Sequence, residues 1–279
     1  MIARSERDAR RQAAIAERRK ALFEMWAKRP IKKAIIEIGV IAGDMYEQGG
    51  VERIQNLLKE DASKIMAPVL NDLHERIIET LGKEAKTSSK ALRGDVETKS
   101  TDEDIDVVTR EMLTLFEQYA IATSVELAET ITEDVAKHVA RVIAENPELI
   151  QQGPRAVASS IQSFVKDQSL WKAERIARTE TLLAYSEAQN KFTEEIWDEV
   201  EDGPMYKKWY ANRDSRARDD HKKMNGRVVR QGEKFRMPNG DELDYPGDRR
   251  ASYPESIIQC RCNFSTLPEE LIPQRQRRG

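Results

Sequence analysis

The sequence changes character at Gly203–Pro204, and this change restricts the possible folds more than any other feature. Before it, apolar residues recur at helical spacing in a chain whose charged residues make up 34% of the total, against about 25% in average globular proteins. After it, short runs of β-type residues alternate with glycine, proline and Asn-Gly pairs, which is typical of short strands joined by tight turns. The sequence therefore predicts an α+β fold, with a mostly helical N-terminal region followed by a small α+β domain of short antiparallel strands.

The part of the chain before this change divides into several predicted helices. The segments with helical periodicity are 3–29, 31–48, 51–82, 104–122, 124–146 and 155–200, the last with a candidate interruption near 167–169. Pro30 is expected to interrupt or kink the first helix, and Gly49–Gly50 to end the second. Residues 83–103 have little periodicity, so we predict a mobile linker there. These signals divide the chain near residue 150 into a helical assembly region, 1–150, and a second domain, 151–279.

The first predicted helix is basic and carries a stripe of large apolar residues, namely Ile15, Leu22, Phe23 and Trp26. Trp and Phe are plausible anchors of protein interfaces, and the surrounding arginines would steer the helix towards an acidic surface or DNA phosphates. Two interpretations stay open. Either the segment 1–33 docks onto a partner, or the stripe packs on 31–48 or 51–82 to complete a helical bundle.

The composition argues against several classes of protein. The formal net charge of −3 gives no global attraction to nucleic acid, and two cysteines argue against a disulfide-stapled secreted domain. The longest apolar stretch, 34–42, is about half as long as a membrane-spanning helix needs to be. The arginine-rich N-terminus has no signal-peptide pattern. We therefore expect a soluble protein, made in the cytoplasm, that has no membrane partner.

A candidate metal site lies in the last third of the chain, at His221, Cys260 and Cys262. The two cysteines are expected to lie in a strand, where residues i and i+2 point to one face. Together with the histidine they would offer the thiolate and imidazole ligands that zinc prefers. The aspartates that could supply a fourth ligand are Asp214, Asp219 and Asp220. The alternative is a site without metal, in which two buried thiols lie near a histidine that is hydrogen-bonded to an acid.

Three arginines near the histidine form a candidate phosphate-binding set, namely Arg213, Arg216 and Arg218. Trp209 and Tyr210 precede them, and cationic side chains combined with aromatic rings are typical of nucleic-acid-binding surfaces. The alternative is a solvated network in which the arginines pair with the interleaved aspartates. Glu180, on the preceding predicted helix, is expected to orient Arg216 or Arg218 through an ion pair.

The order of three separated sequence blocks resembles the phage Mu F-like head morphogenesis family. The blocks are Ile176–Thr181, which reads IARTET; the residues Trp209, Asp214, Arg216, Arg218, His221 and Gly226; and Cys260–Cys262, which reads CRC. The resemblance covers about residues 155–268 and departs from the family pattern in a long charged insert between Phe235 and Pro254. It implies a structural motif that consists of Arg178, Thr179, Glu180, Trp209, Asp214 and Gly226.

The resemblance implies a non-enzymatic minor capsid protein of a tailed bacteriophage, assembled in the host cytoplasm and located in the capsid interior of the virion. The implied partners are the portal protein and other head proteins, with phage DNA as a further candidate. The implied role is head assembly or DNA packaging or ejection. The competing interpretation is a nucleic-acid-cleaving or toxin-like domain at 204–268 that uses His221 and nearby arginines. The common nucleotide-binding, serine-hydrolase and metalloprotease motifs do not occur in the sequence.

Overall fold

The computed structural model describes residues 5–93, 101–197, 204–212 and 214–276. The helices are α1 (Glu6–Arg93), α2 (Asp102–Glu145), α3 (Pro147–Gln151), α4 (Pro154–Trp197) and α5 (Asp219–Met224). The strands are β1 (Met205–Tyr210), β2 (Val228–Arg230), β3 (Phe235–Arg236), β4 (Glu242–Leu243) and β5 (Asn263–Pro268). Short 3₁₀ turns lie at Pro254–Ser256, Glu269–Leu271 and Gln274–Gln276. Long helices followed by short antiparallel strands confirm the predicted α+β fold.

Gly49–Gly50 divides α1 into two helical segments, as the sequence predicts. Gly50 has a φ of 64° and a ψ of −155°, a conformation that is open essentially only to glycine. The predicted interruption at Pro30 is wrong, because the helix continues through that residue. Proline lacks the N–H that would donate to the preceding helical turn. Ala27 and Ile31 on either side of it are buried, and their packing helps to offset the missing hydrogen bond.

The helices α2 and α4 are more continuous than the sequence predicts. α2 is continuous where two helices, 104–122 and 124–146, are predicted, and α4 has no interruption near 167–169. The hydroxyl of Ser169 donates to the Lys166 carbonyl at 2.6 Å, so this polar residue finds its partner inside the helix. Within the described residues, no helix combines the length and the apolar character that are needed to cross a membrane.

The predicted linker, 83–103, begins as regular helix, because α1 extends to Arg93. Lys86 in this last part of α1 pairs with Asp106 on α2 at 2.6 Å, so contacts with a neighbouring helix contribute to its order. Residues 94–100 lie outside the described part of the chain, and the mobility predicted for them stays a prediction.

The chain forms two compact units, and neither is a continuous stretch of sequence. The first unit comprises Met1–Phe23, Glu75–Thr114 and Arg178–Gly279, and the second comprises Glu24–His74 and Leu115–Ala177. The boundary predicted near residue 150 falls inside the second unit. The predicted boundary and the observed units differ because α1, α2 and α4 each contribute residues to both units. A change of composition along the chain does not reveal such shared helices.

The second unit is a helical assembly with an apolar core. Its fully buried side chains include Ile35, Ile38, Ile54, Leu58 and Phe116. Burial of each such side chain contributes about 1.5–3 kcal/mol. Ion pairs between Lys28 and Glu174 and between Lys59 and Glu129 are partly exposed, and such pairs are worth at most about 1 kcal/mol each. Apolar packing therefore dominates the stability of this unit.

The first unit contains a three-stranded antiparallel sheet with the strand order β2-β1-β5. β1 pairs with β5 along its whole length, from Met205↔Pro268 to Tyr210↔Asn263. β3 and β4 form a separate hairpin, and its turn contains Asn239–Gly240, as predicted. The other predicted hairpin turn, Asn225–Gly226, does not join two strands directly, because α5 lies in the connection between β1 and β2.

The beginning of α1 packs on the sheet of the first unit. Ala9 is fully buried in a cluster that includes Leu267 of β5, and its carbonyl accepts a hydrogen bond from the Ser265 hydroxyl at 3.1 Å. Lys208 of β1 pairs with Glu6 at 2.7 Å. The N-terminal segment thus has an intramolecular partner among the C-terminal strands, which neither interpretation of its sequence foresaw.

The face of α1 that packs here is made of small residues. Ala9, Ala13 and Ala16 are buried, whereas Leu22 from the predicted apolar stripe is 61% exposed. The predicted stripe consists of large apolar side chains, whereas the buried face consists of alanines, which also follow the spacing of one helix face. A contact between the exposed leucine and another protein stays a prediction.

Replacing Ala9 by glutamate is expected to lower the free energy of unfolding by about 2–4 kcal/mol, because it buries a charge without a partner. Chemical denaturation followed by circular dichroism measures the change. Ala14→Glu makes the same substitution at an exposed position of α1 and should stay within about 0.5 kcal/mol of the wild type. Equal losses for the two variants would show that this face of α1 does not pack on the sheet.

Candidate functional site around His221, Cys260 and Cys262

The structure brings His221, Cys260 and Cys262 together, although they lie on different elements. His221 belongs to α5, and the two cysteines belong to the loop that leads into β5. The strand predicted for the cysteines is wrong, because β5 begins only at Asn263. Both cysteines are free and buried, so a loop conformation, instead of a strand, places their thiols near the histidine.

The loop that carries the cysteines is fastened to α4. Gln259 has a φ of 55°, which non-glycine residues adopt rarely. Its backbone N–H donates to the Thr179 hydroxyl at 3.2 Å, and Arg178 donates to its side-chain oxygen at 3.4 Å. Two residues of the IARTET segment therefore hold the backbone turn that places Cys260.

The imidazole ring of His221 faces both thiols. Its Nδ1 lies 3.3 Å from Cys260 Sγ and 3.4 Å from Cys262 Sγ. The backbone N–H of Cys262 donates to Cys260 Sγ at 3.4 Å. Atoms of the three side chains that could bind a metal all lie within 4.8 Å of one another. We call these three residues the His-Cys cluster.

Hydrogen bonding inside the His-Cys cluster makes the two thiols differ in acidity. The hydrogen bond with Cys262 lowers the pKa of Cys260 against the opposing effect of burial, and His221 lowers it further. The same hydrogen bond raises the pKa of Cys262, and burial adds to the rise. Burial works to lower the pKa of His221, but the hydrogen bond and charge of Cys260 outweigh it and raise the pKa. The cluster therefore favours a thiolate on Cys260 over one on Cys262.

Apolar side chains enclose the His-Cys cluster. Trp209 is completely buried; its ring centroid lies 5.2 Å from that of Phe235 and 6.5 Å from that of His221, both edge to face. Gly226 has a φ of 83°, which suits glycine, and its N–H donates to the Trp209 carbonyl at 2.8 Å. Trp209 and Gly226, both from the second sequence block, thus take part in the core around the cluster.

Glu180 does not orient Arg216 or Arg218, contrary to the prediction from the sequence. Its buried carboxylate pairs instead with Arg249 at 3.1 Å. Arg249 lies in the charged insert that departs from the family pattern, so no motif pointed to it. The insert resembles an exposed loop in sequence, and only the fold shows that its arginine reaches α4.

Two further buried polar residues, Asp241 and Lys20, were not predicted from the sequence. Asp241 in the insert accepts backbone hydrogen bonds from Ser252 at 2.8 Å and from Tyr253 at 3.3 Å, and so orders the insert. Lys20 of α1 is only 4% exposed and donates from Nζ to the Cys262 carbonyl at 2.7 Å. The burial of Lys20 could have been predicted from helical spacing, because this residue continues the face of buried alanines on α1.

None of the three aspartates considered as a fourth ligand joins the His-Cys cluster, so this prediction is wrong. Asp214 accepts two hydrogen bonds from Arg261, at 2.7 and 2.6 Å, and these bonds are the main cause that lowers the pKa of Asp214. Asp219 and Asp220 pair at 3.0 and 3.3 Å with lysines three positions further along the chain. These carboxylates therefore pair with nearby arginine and lysine side chains, which are more accessible than the buried cluster.

A pocket of about 140 Å³ adjoins the His-Cys cluster. Besides the three cluster residues, its lining includes Arg178, Arg216, Arg218 and Arg261. Arg218 donates to the Ile258 carbonyl at 2.8 Å, whereas Arg216 is 77% exposed and lies 3.6 Å from Asp214. Arg213, the third residue of the predicted phosphate-binding set, lies outside the described residues. The pocket thus combines soft metal ligands with positively charged walls.

The fold and the site define a mainly helical protein whose short C-terminal strands accompany a buried His-Cys cluster. The model of the phage Mu protein F-like family matches residues 125–265, which is half of the chain. The chain therefore belongs to the phage Mu protein F-like family, whose members are phage head morphogenesis proteins with a structural role. This match confirms the resemblance seen in the three sequence blocks and extends it upstream into α2. No curated protein and no solved structure matches the chain significantly.

Proposed function

We propose that the protein is a minor capsid protein of a tailed bacteriophage, which acts beside the portal in the head interior during head assembly or DNA packaging and ejection. Family membership carries this proposal, because the matched region includes all of α4 and the complete His-Cys cluster. The portal protein is the first proposed partner. Other head proteins and phage DNA are further ones.

Exposed apolar residues on α4 offer a surface for the portal contact. Leu170 and Trp171 are neighbours in the second unit and are 46% and 52% exposed. The guanidinium of Arg175 lies over the Trp171 ring, 5.6 Å from its centroid. Tryptophan and arginine are enriched among the residues that dominate binding energies at protein interfaces. We call these three residues the Trp171 patch and propose it as the portal-binding surface.

Co-expression with the portal protein of the same phage tests this proposal. The wild-type protein is expected to co-purify with the portal and to be recovered in assembled heads. Changing both Leu170 and Trp171 to serine should reduce its affinity for the portal at least about tenfold, which corresponds to about 1.4 kcal/mol.

Ile143→Ser is the matched control, because it changes an apolar residue of α2 that is 47% exposed and lies outside the Trp171 patch. It should leave recovery in heads unchanged. Absence of the wild-type protein from heads assembled with the cognate portal would overturn the proposed function. Normal portal binding by the double serine variant would overturn the assignment of the surface alone.

The geometry of His221 favours this structural role over nucleic-acid cleavage by residues 204–268. Nδ1 of the ring faces the sulfur atoms of Cys260 and Cys262, and the residue is only 4% exposed. A general base needs a nitrogen within hydrogen-bond reach of the proton that it removes, and Nδ1 already has partners inside the protein.

Arginines of the pocket are the proposed contacts of the protein with phage DNA. Arg216 is the better placed of the two described residues, because its side chain is 77% exposed. Arg218 already donates to a backbone carbonyl, so part of its hydrogen-bonding capacity is used inside the protein. Interleaved aspartates weaken attraction to phosphates, which makes DNA a secondary partner beside the portal.

A further inference from the structure

We propose that the His-Cys cluster binds one zinc ion through His221 Nδ1 and the sulfur atoms of Cys260 and Cys262, with the fourth coordination position open to the arginine-lined pocket. Proteins bind zinc with imidazole and thiolate ligands, most often in a tetrahedron. The three protein ligands come from α5 and from the loop before β5. A zinc ion would therefore link two elements that the hydrogen bonds within the cluster already bring together.

The distances between the ligand atoms fit such a site. Zn–S bonds of about 2.3 Å and Zn–N bonds of about 2.0–2.1 Å, at tetrahedral angles, place the nitrogen about 3.5 Å from each sulfur. In the structure, Nδ1 of His221 lies 3.3 Å from one sulfur and 3.4 Å from the other. Small rotations of the side chains are enough to reach the geometry of a metal-bound site.

His221 is oriented as a metal-binding histidine requires. Its Nδ1 faces both sulfur atoms, so this nitrogen would be the metal ligand. Zinc binds the neutral imidazole, and binding at Nδ1 would leave the ring proton on Nε2.

The surroundings of Cys260 favour the thiolate form that zinc needs, and the charge of zinc would favour a second thiolate on Cys262. The N–H of Cys262 donates to Cys260 Sγ at 3.4 Å, and the buried ammonium of Lys20 donates to the Cys262 carbonyl at 2.7 Å. Two thiolates and one zinc ion sum to zero charge. Zinc would therefore remove the cost of burying uncompensated negative charge among the apolar side chains around the cluster.

The fourth position opens towards solvent. Among the described residues, no further histidine, cysteine or carboxylate joins the cluster, while all three ligands line the pocket. A water molecule from the pocket therefore completes the tetrahedron, with the side chains of Arg178, Arg216 and Arg218 around it. Three protein ligands and an accessible fourth position distinguish this arrangement from a closed structural zinc site.

Metal analysis of the full-length protein tests the proposal. Protein purified without chelator is expected to contain about one zinc ion per chain. Cobalt(II), added after the zinc has been removed, should give the near-ultraviolet absorption of cobalt–thiolate bonds and the visible bands of tetrahedral cobalt. Cys260→Ser and Cys262→Ser should each lower the zinc affinity at least about tenfold.

His138→Ala serves as the control, because His138 lies in the second unit and contacts Ser160 instead of a cysteine. It should retain full zinc content. A wild-type protein that lacks zinc and gives no cobalt–thiolate absorption would overturn the proposal, and a metal-free hydrogen-bonded network would replace it. This outcome does not depend on whether the cysteine variants fold. Unchanged zinc affinity in a folded Cys260→Ser protein would also overturn it.

Discussion

Replacing Trp209 by alanine is expected to lower the free energy of unfolding by about 3–5 kcal/mol, as large-to-small changes of buried aromatic residues do. The indole is completely buried in the first unit. It packs against Phe235 and lies in the same apolar cluster as Cys260 and Cys262. Its removal leaves a cavity that the strands and α5 cannot fill without moving. Urea denaturation followed by far-ultraviolet circular dichroism measures the loss.

Trp171→Ala is the matched control for this experiment. It removes the same side chain from a position on α4 that is 52% exposed. The expected loss is below about 1 kcal/mol, even with the contact to Arg175 included. Similar losses for the two tryptophans would show that the core around Trp209 is not packed as described.

Replacing Glu180 by alanine is expected to destabilise the protein by about 3 kcal/mol, because Arg249 then stays partly buried without its closest carboxylate. The two side chains are only 6% and 18% exposed, so water screens this pair weakly. Glu187 lies 3.9 Å from Arg249 and compensates part of the loss. Thermal and urea unfolding of the single variant measure the effect.

A double variant separates loss of the charge pair from loss of packing. Glu180→Ala combined with Arg249→Met removes both charges and should be more stable than Glu180→Ala alone by at least about 1 kcal/mol. Asp220→Ala, which breaks an exposed pair with Lys223, should change stability by less than about 0.5 kcal/mol. If the double variant is no more stable than the single one, the unpaired, partly buried Arg249 is not the cause of the loss.

The fold class could be predicted because its signals are local. Gly49–Gly50 ends a helical segment and Asn239–Gly240 turns a hairpin through backbone conformations that depend on those residues themselves. The extent of the helices could not be predicted. Pro30 is a local breaker, but packing of buried neighbours keeps the helix continuous there. Tertiary contacts of this kind override propensity and leave no periodic pattern of their own.

The members of the His-Cys cluster could be identified from residue type, but their geometry could not. The sequence pattern favoured a strand for Cys260, whereas the structure has a turn at Gln259 that depends on a hydrogen bond to Thr179, 80 positions earlier in the chain. Glu180 accepts a hydrogen bond from Arg249, which lies 69 positions later in the chain. No spacing rule connects residues at such separations, because the fold, and not the local chain, brings them together.

The first unit is assembled from segments that are far apart in the sequence, and this sets an order for folding during synthesis. The Ser265 hydroxyl donates to the Ala9 carbonyl across 256 positions. The start of α1 therefore leaves the ribosome long before β5 has been translated. All segments of the second unit precede Arg178, so that unit can fold while translation continues. Contacts between distant segments form late, because closing a long loop costs entropy before the contact stabilises it. The alanine face of α1 is therefore expected to stay uncovered until the ribosome releases the final strand, and nascent chains that stop short of β5 should depend most on chaperones.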